Sequence, residues 1–291
     1  MAKPGDLLRV LRPKSVNGLL RLYAKNPDAL LFAGGTERAT RLKPDSVSAE
    51  SKIVIYLGKV EELSRIRRSQ RYLEIGSCLP ISRIVSIGRH ILPEALSTAL
   101  RSIANPAVRN LATLGGNICA AIPNNDSIAP LYAIDGQLEI RSLSGSRWVP
   151  ISRFFPGAGE TVLKEGEILF RIRIPLEEWD YQVFRKVSGS HICSHPLLNF
   201  CGLARFSKGI LETVRFALGG LNNTVFRSLE LESRLEGKTL PLSEKEVESL
   251  LAGADELLEP LTDSSFSAAY KRATGLRLLR WFIENIHREN R

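Results

Sequence analysis

Along the first two thirds of the chain, apolar residues come in short runs punctuated by glycine; along the last third they recur at helical spacing. Val16, Leu19, Leu20 and Tyr23 lie three and four apart behind Ser15, a good capping residue, and predict a first helix. The apolar run 29–33 ends at Gly34-Gly35, the pattern of a strand entering a tight turn. Further strands are predicted over 51–57, closed by Gly58, and over 71–75, closed by Gly76. Helical periodicity holds on both sides of Pro93 across 80–104. A helix from residue 128 precedes a hairpin turned at Ser144-Gly145, and 167–175 is a strand with β-branched residues at alternate positions. More strands fill 179–220, with a hairpin turn at Lys208-Gly209.

Ser243 and Glu246 then form a capping-box pattern ahead of a helix. The segment 263–290 predicts a long amphipathic helix with Phe266, Tyr270, Ala273, Leu276, Leu279, Phe282 and Ile286 on one side. Hairpins mixed with helices indicate an α+β fold, not a doubly wound parallel sheet. The change in character near residues 175–180 sets the domain border: 1–178, with subdomains of about 1–58 and 59–178, then 179–291.

The chain has 291 residues, a net charge of +9 and pI near 9.6. The basic residues are scattered. Their densest cluster, Arg65, Arg67, Arg68 and Arg71, has no interleaved aromatic platform, so it reads as a solvated face or a dock for an acidic partner, not a nucleic-acid site. Four cysteines without a CxxC pair, and no secretory hydrophobic region, predict free thiols in a reducing cytoplasm. No apolar run reaches the ~18 residues that a spanning helix needs.

Neither a GxGxxG nor a Walker A sequence is present; Gly157 to Thr161 lacks the third glycine. Two glycine pairs stand out instead: Gly34-Gly35-Thr36-Glu37 and Gly115-Gly116-Asn117. A lone pair is ordinarily just a turn. Two of them, each behind an apolar run, offer bare backbone N–H groups that form a concave anion site. Facing each other, they suit a pyrophosphate held by main-chain amides without lysine. Thr36, Thr113 and Asn117 add short donors, Ala120 and Ala121 leave room for a flat group, and Asp126 is placed to accept from ribose or ribityl hydroxyls.

The segments "LLFAGGTERA" and "RNLATLGGNICAAIPNND" resemble the two FAD-binding loops of the flavoprotein subunit of molybdenum hydroxylases, the family of xanthine and carbon monoxide dehydrogenases. The resemblance covers nearly the whole chain and is nearest to the xanthine dehydrogenase branch. It implies a two-part FAD-binding domain of the vanillyl-alcohol-oxidase (PCMH) type, then a small α+β domain of the CO dehydrogenase flavoprotein type. It implies that Leu30, Leu31, Phe32, Ala33, Gly34, Gly35, Thr36 and Glu37 wrap the FAD pyrophosphate from one side. Thr113, Leu114, Gly115, Gly116 and Asn117 would wrap it from the other, with Ala120 beside them and Asp126 holding a flavin-side hydroxyl. Ile168 and Leu169 would pack near a ring of the cofactor, and Phe184 and Arg185 would add a further flavin contact.

By the same resemblance, a 2Fe–2S subunit passes electrons from a molybdopterin subunit to the flavin, which hands them to NAD or another acceptor. No catalytic side chain and no metal site are implied in this chain. With no His in either loop, the FAD is non-covalent. Two departures stand out: Glu37 where the family often has Asp, and "GSHICSHP" where many members are arginine-rich. No Cys-rich insertion appears, so the extra cluster of the benzoyl-CoA reductase branch is not expected. A stand-alone flavin oxidoreductase and a cofactor-free scaffold subunit are the alternatives. His191, Cys193 and His195 alternate, with Cys201 beyond as a conceivable fourth ligand, but along a strand the three span ~13 Å, too wide for one tetrahedral ion unless the strand bends, so packing against the flavin domain or a partner is the reading.

Overall fold

The computed structural model of the chain describes residues 8–37, 53–88, 90–189, 196–262 and 266–286. Ser15 caps helix α1 (Val16–Lys25), its hydroxyl accepting the N–H of Gly18 at 3.2 Å. That satisfies one of the donors orphaned at a helix start. Val16, Leu19 and Leu20 are buried in the core beneath a small parallel sheet ordered β1 (Arg9–Leu11), β3 (Ile53–Tyr56), β2 (Leu30–Phe32). Parallel strands need a crossover, and α1 supplies it between β1 and β2. β2 is therefore an edge strand.

The second sheet is antiparallel: β4 (Ile66–Arg68), β5 (Tyr72–Gly76), β8 (Ile168–Pro175), β6 (Gln137–Ser142), β7 (Gly145–Pro150). Alternation sorts its faces. Leu73, Ile75, Leu138, Ile140, Ile172 and Ile174 enter a core shared with helices α2 (Ile81–Val85), α3 (Glu94–Ser102) and α6 (Ile128–Ala133). Glu74, Glu139, Arg171 and Arg173 lie on the other face. There Arg171 donates to Glu74 at 2.6 Å and to Glu139, while Arg173 reaches Glu74 at 2.7 Å and lies 3.8 Å over the Trp148 ring. Much of this face's positive charge is thus paired locally.

The third sheet, β9 (Tyr181–Ser188), β10 (Pro196–Ser207) and β11 (Ile210–Gly219), is antiparallel. Lys208 and Gly209 both take positive φ, 51° and 76°, as a two-residue hairpin loop requires. One face packs on helices α7 (Leu229–Leu235), α8 (Glu244–Leu257) and α9 (Ala268–Asn285). The other face sends Phe184, Cys201, Leu203 and Ala217 into the main core beneath the five-stranded sheet. The capping box at Ser243 and Glu246 is present. The stripe of α9 holds at Leu279, Phe282 and Ile286, which are buried, and at Phe266 and Leu276, which pack against the same core, but not at Tyr270. Lys271, Gly275, Leu279, Phe282 and Ile283 are the buried positions, and Tyr270 is exposed. Gly275 adds to the buried face: a Cβ there would lie 2.9 Å from Leu221, so bare backbone packs at that point.

Arg227 fastens the C-terminal domain to the rest. It donates to both oxygens of Glu232 at 2.8 and 3.1 Å, to Asp135 at 2.6 Å and to the carbonyl of Tyr132 at 2.5 Å. Glu232 also accepts the backbone N–H of Phe216 at 2.9 Å. Arg227→Ala would leave the buried Glu232 carboxylate without its counter-charge, a change that typically costs about 3–5 kcal/mol. Urea denaturation of the variant is expected to show a loss of that size, and a loss below about 1 kcal/mol, the level of an exposed surface pair, would show that the clamp is not holding.

Candidate functional site

β2 delivers its chain to the first glycine pair. Every residue from Leu30 to Glu37 is half-buried, although Leu30, Leu31, Phe32 and Ala33 are apolar. The edge position of β2 accounts for this, since one side of the strand has no neighbour among the described strands. Gly35 has φ of +70°, and the Phe32 ring fills the place of its missing Cβ, 2.2 Å from where that atom would be. A Cβ on Gly34 would lie 2.0 Å from the carbonyl oxygen of Leu111. Only glycine permits that approach. The two glycine-bearing segments are thus in backbone contact, as their pairing in the sequence suggests. Among the described residues, the N–H groups of Gly34 and Gly35 meet no acceptor.

The second segment is not the turn that its glycines suggest. It opens with α4 (Pro106–Leu111), where the Asn105 side chain accepts the N–H of Val108 at 2.9 Å. Thr113 then caps a second short helix, α5 (Leu114–Cys119), and its hydroxyl accepts the N–H of Gly116 at 3.0 Å. Gly115 donates to the carbonyl of Ser77 at 2.9 Å, and Asn117 to that of Thr113 at 2.9 Å. These three amides are engaged inside the protein. Gly115 lies flat on Ser77, where a Cβ would come within 2.5 Å, and Gly76 lies as closely on Leu63. Gly116 differs: it is exposed, and a Cβ there would approach only the Thr113 hydroxyl, at 2.9 Å. Its missing side chain leaves space on the outside.

Asn117 anchors the loop between α5 and α6. Its carbonyl accepts from Asn125 at 2.9 Å and its side-chain oxygen from Ser127 at 2.6 Å. Asp126, between those two, is buried and forms an ion pair with Lys186 of β9 at 2.8 Å. Ala120 is half-buried, and Ala121 is buried with φ of +51°. Ile168 and Leu169 are buried at the start of β8, which reaches the second segment through Ser77: Ser77 donates to Phe170 at 3.0 Å and accepts from Gly115.

Phe184 and Arg185 part company. Phe184 enters the main core, whereas Arg185 lies on the opposite face of β9, 4.5 Å over the ring of Trp281 in α9. Strand alternation forces the split. Phe184 thus faces the core and Arg185 faces α9. Sequence patterns do not single out Lys186, which shares the face of Phe184. The available signal is that same alternation: a lysine two residues from a core phenylalanine needs a carboxylate.

Burial raises the Cys78 thiol to about 11, with the Ser77 hydroxyl opposing, and raises Cys201 as well. Neither is a thiolate at neutral pH, so neither is a nucleophile beneath the site. Cys119 is exposed. Among the described residues no cluster of His, Cys, Asp or Glu is placed to hold a metal ion; His191, Cys193 and His195 lie outside them. A group seated along the seam would meet two amides without acceptors, the open space at Gly116 and a half-buried apolar strand. These features suit the phosphates and flat rings of a flavin dinucleotide.

The model of the FAD binding domain in molybdopterin dehydrogenase matches residues 6–177, and that of the CO dehydrogenase flavoprotein C-terminal domain matches 184–286. The xanthine dehydrogenase FAD-binding subunit of Escherichia coli O157:H7 is 30% identical over 81% of this chain and 82% of its own length. The carbon monoxide dehydrogenase medium chain of Hydrogenophaga pseudoflava is 30% identical over 90% of each. A solved structure of carbon monoxide dehydrogenase from the same organism, lacking the Mo-pyranopterin moiety, superposes with a TM-score of 0.86 at 28% identity, covering 97% of this chain and 96% of that one. With its paired glycine segments brought together and both domains matched, the chain belongs to the FAD-binding subunits of the xanthine dehydrogenase and carbon monoxide dehydrogenase family of oxidoreductases.

Proposed function

We propose that FAD binds non-covalently along the seam between Leu30–Glu37 and Thr113–Asn117, and that this chain is the electron-transfer subunit of a molybdenum hydroxylase complex. A 2Fe–2S subunit supplies the electrons, a molybdopterin subunit carries the hydroxylating site, and NAD or another acceptor takes the electrons on. The observation that carries the reading is the pair of adjacent N–H groups, on Gly34 and Gly35, that meet no acceptor among the described residues, on a segment whose backbone lies against Leu111 of the second. Bound there, the flavin supplies the redox chemistry, while the protein supplies binding and orientation.

In this reading Gly34, Gly35 and Thr36 donate to the pyrophosphate, Asp126 accepts from a flavin-side hydroxyl, and Leu169 and Phe184 line the site from buried positions. The Arg185 side chain, turned toward Trp281, has no part in it. Cys78, Cys119 and Cys201 are free thiols, which supports a cytoplasmic setting. No helix among the described residues is long and apolar enough to cross a membrane. We set the border between the domains at 178/179, between β8 and β9.

Purified with its partner subunits, the chain is expected to be yellow and to release about one FAD on denaturation, since neither glycine segment carries a histidine for a covalent flavin link. A colourless chain that takes up no flavin from an excess would overturn the reading. Two glycine variants separate fold from binding. Gly34→Ala places a Cβ against the Leu111 carbonyl and is expected to lower both the melting temperature and FAD uptake. Gly116→Ala meets only a side-chain hydroxyl and adds helix propensity worth up to about 1 kcal/mol, so its melting temperature should hold while FAD affinity falls. Unchanged affinity in Gly116→Ala would remove the second segment from the site.

A further inference from the structure

Lys186 stands out among the charged side chains of the sheets because it is nearly buried and joins three elements. Its ammonium donates to Asp126 Oδ2 at 2.8 Å and to the carbonyl of Ser102, at the C-terminal end of α3, at 3.1 Å. The lysine and aspartate side chains are 11% and 4% exposed. A cation suits a helix C-terminus, whose last carbonyls are unpaired and partly negative. The ion pair crosses from the C-terminal domain to the FAD-binding domain. Asn125 and Ser127 reach back to Asn117 and fix the backbone on either side of Asp126, but a fixed backbone still leaves a side chain several staggered rotamers. Lys186 holds one Asp126 carboxylate oxygen and so favours one of those rotamers. A charge-assisted bond of this kind in a buried setting is directional and short.

From this arrangement we infer that Lys186 is a positioning residue of the flavin site, supplied by the other domain. By fixing Asp126 against the second glycine segment, it sets the acceptor that the cofactor's hydroxyl meets. The inference rests on the FAD reading above and adds a residue that lies outside both glycine segments. It also gives β9 a division of labour. Phe184 and Lys186, on one face, serve the site, while Arg185, on the other, stacks on Trp281 within the C-terminal domain.

The test uses the intact complex, stripped of flavin and titrated with FAD, with quenching of flavin fluorescence giving Kd and the visible absorption band reporting the environment. Lys186→Met is expected to raise Kd by about tenfold or more and to shift the band. Asp126→Asn should do the same, and the double variant should be no more than about threefold worse than the weaker-binding single, because both changes act through one carboxylate. Arg227→Ala loosens the same border without touching Asp126, and its Kd should stay within about threefold of wild type despite a lower melting temperature. A wild-type Kd in Lys186→Met, fully additive losses in the double variant, or an equal loss in Arg227→Ala would overturn the positioning role. Should Lys186→Met fail to fold, Lys186→Gln, which keeps a donor for Ser102, carries the same comparisons. A wild-type complex that takes up no FAD would instead sink the flavin reading itself.

Discussion

The site depends on main chain touching main chain. Gly34 rests on Leu111, Gly115 on Ser77 and Gly76 on Leu63, each at a distance where any side chain would collide with a carbonyl. Backbone can lie this close to backbone only where Cβ is absent. The three contacts form a stack that runs from the small parallel sheet, through α5, to the edge of the five-stranded sheet. Hydrogen bonds take the same path: Gly115 to Ser77, Ser77 to Phe170, Cys78 to Leu63 and Ile81 to Ala112. Those amides are engaged in holding the stack, whereas the N–H groups of Gly34 and Gly35 meet no acceptor among the described residues.

This arrangement differs from a helix-end or lysine-based phosphate site in what it asks of side chains. The seam uses the shape of the backbone, so charge near it serves a different purpose. Lys186 and Asp126 neutralise each other, and Arg109 spends its guanidinium on the carbonyls of Ile103 and Ala104. On the far face of the five-stranded sheet, Glu74 and Glu139 are divided among Arg141, Arg171 and Arg173. The overall +9 of the chain is thus a poor guide to where a ligand sits.

Much of the architecture is legible in the sequence because its signals are local. Ser15 ahead of a 3.6-residue stripe, the Lys208-Gly209 turn and the Ser243 capping box each specify their element within a few residues. The errors arise where a distant partner decides. Gly115-Gly116 reads as a turn, yet Thr113 caps a helix through it, and Ser77, far away in sequence, takes the Gly115 amide. In α9 the expected stripe holds except at Tyr270, and the close approach of Leu221 brings Gly275 into the buried face as well. Phe184 and Arg185, neighbours in sequence, go to opposite faces, and the resemblance that groups them carries no information on strand alternation. Strand alternation marks Lys186 but names neither of its partners, since Asp126 and Ser102 are 60 and 84 residues away. The glycine segments themselves are recognisable, because a backbone approach leaves its mark as missing side chains.

The main core draws on both domains. Phe184, Cys201, Leu203, Ala217 and Val225 come from the C-terminal domain, yet they pack with Leu96, Leu100, Ile128 and Leu131 of the other. Cut at the border, the longer piece would present a raw apolar wall to water, and the shorter would lose the surface that its inner sheet face is shaped to meet. The two family domains consequently share one core, and each part depends on the other to cover its apolar surface. Such a protein can be tuned by substitution along its seam, but it is a poor subject for domain shuffling.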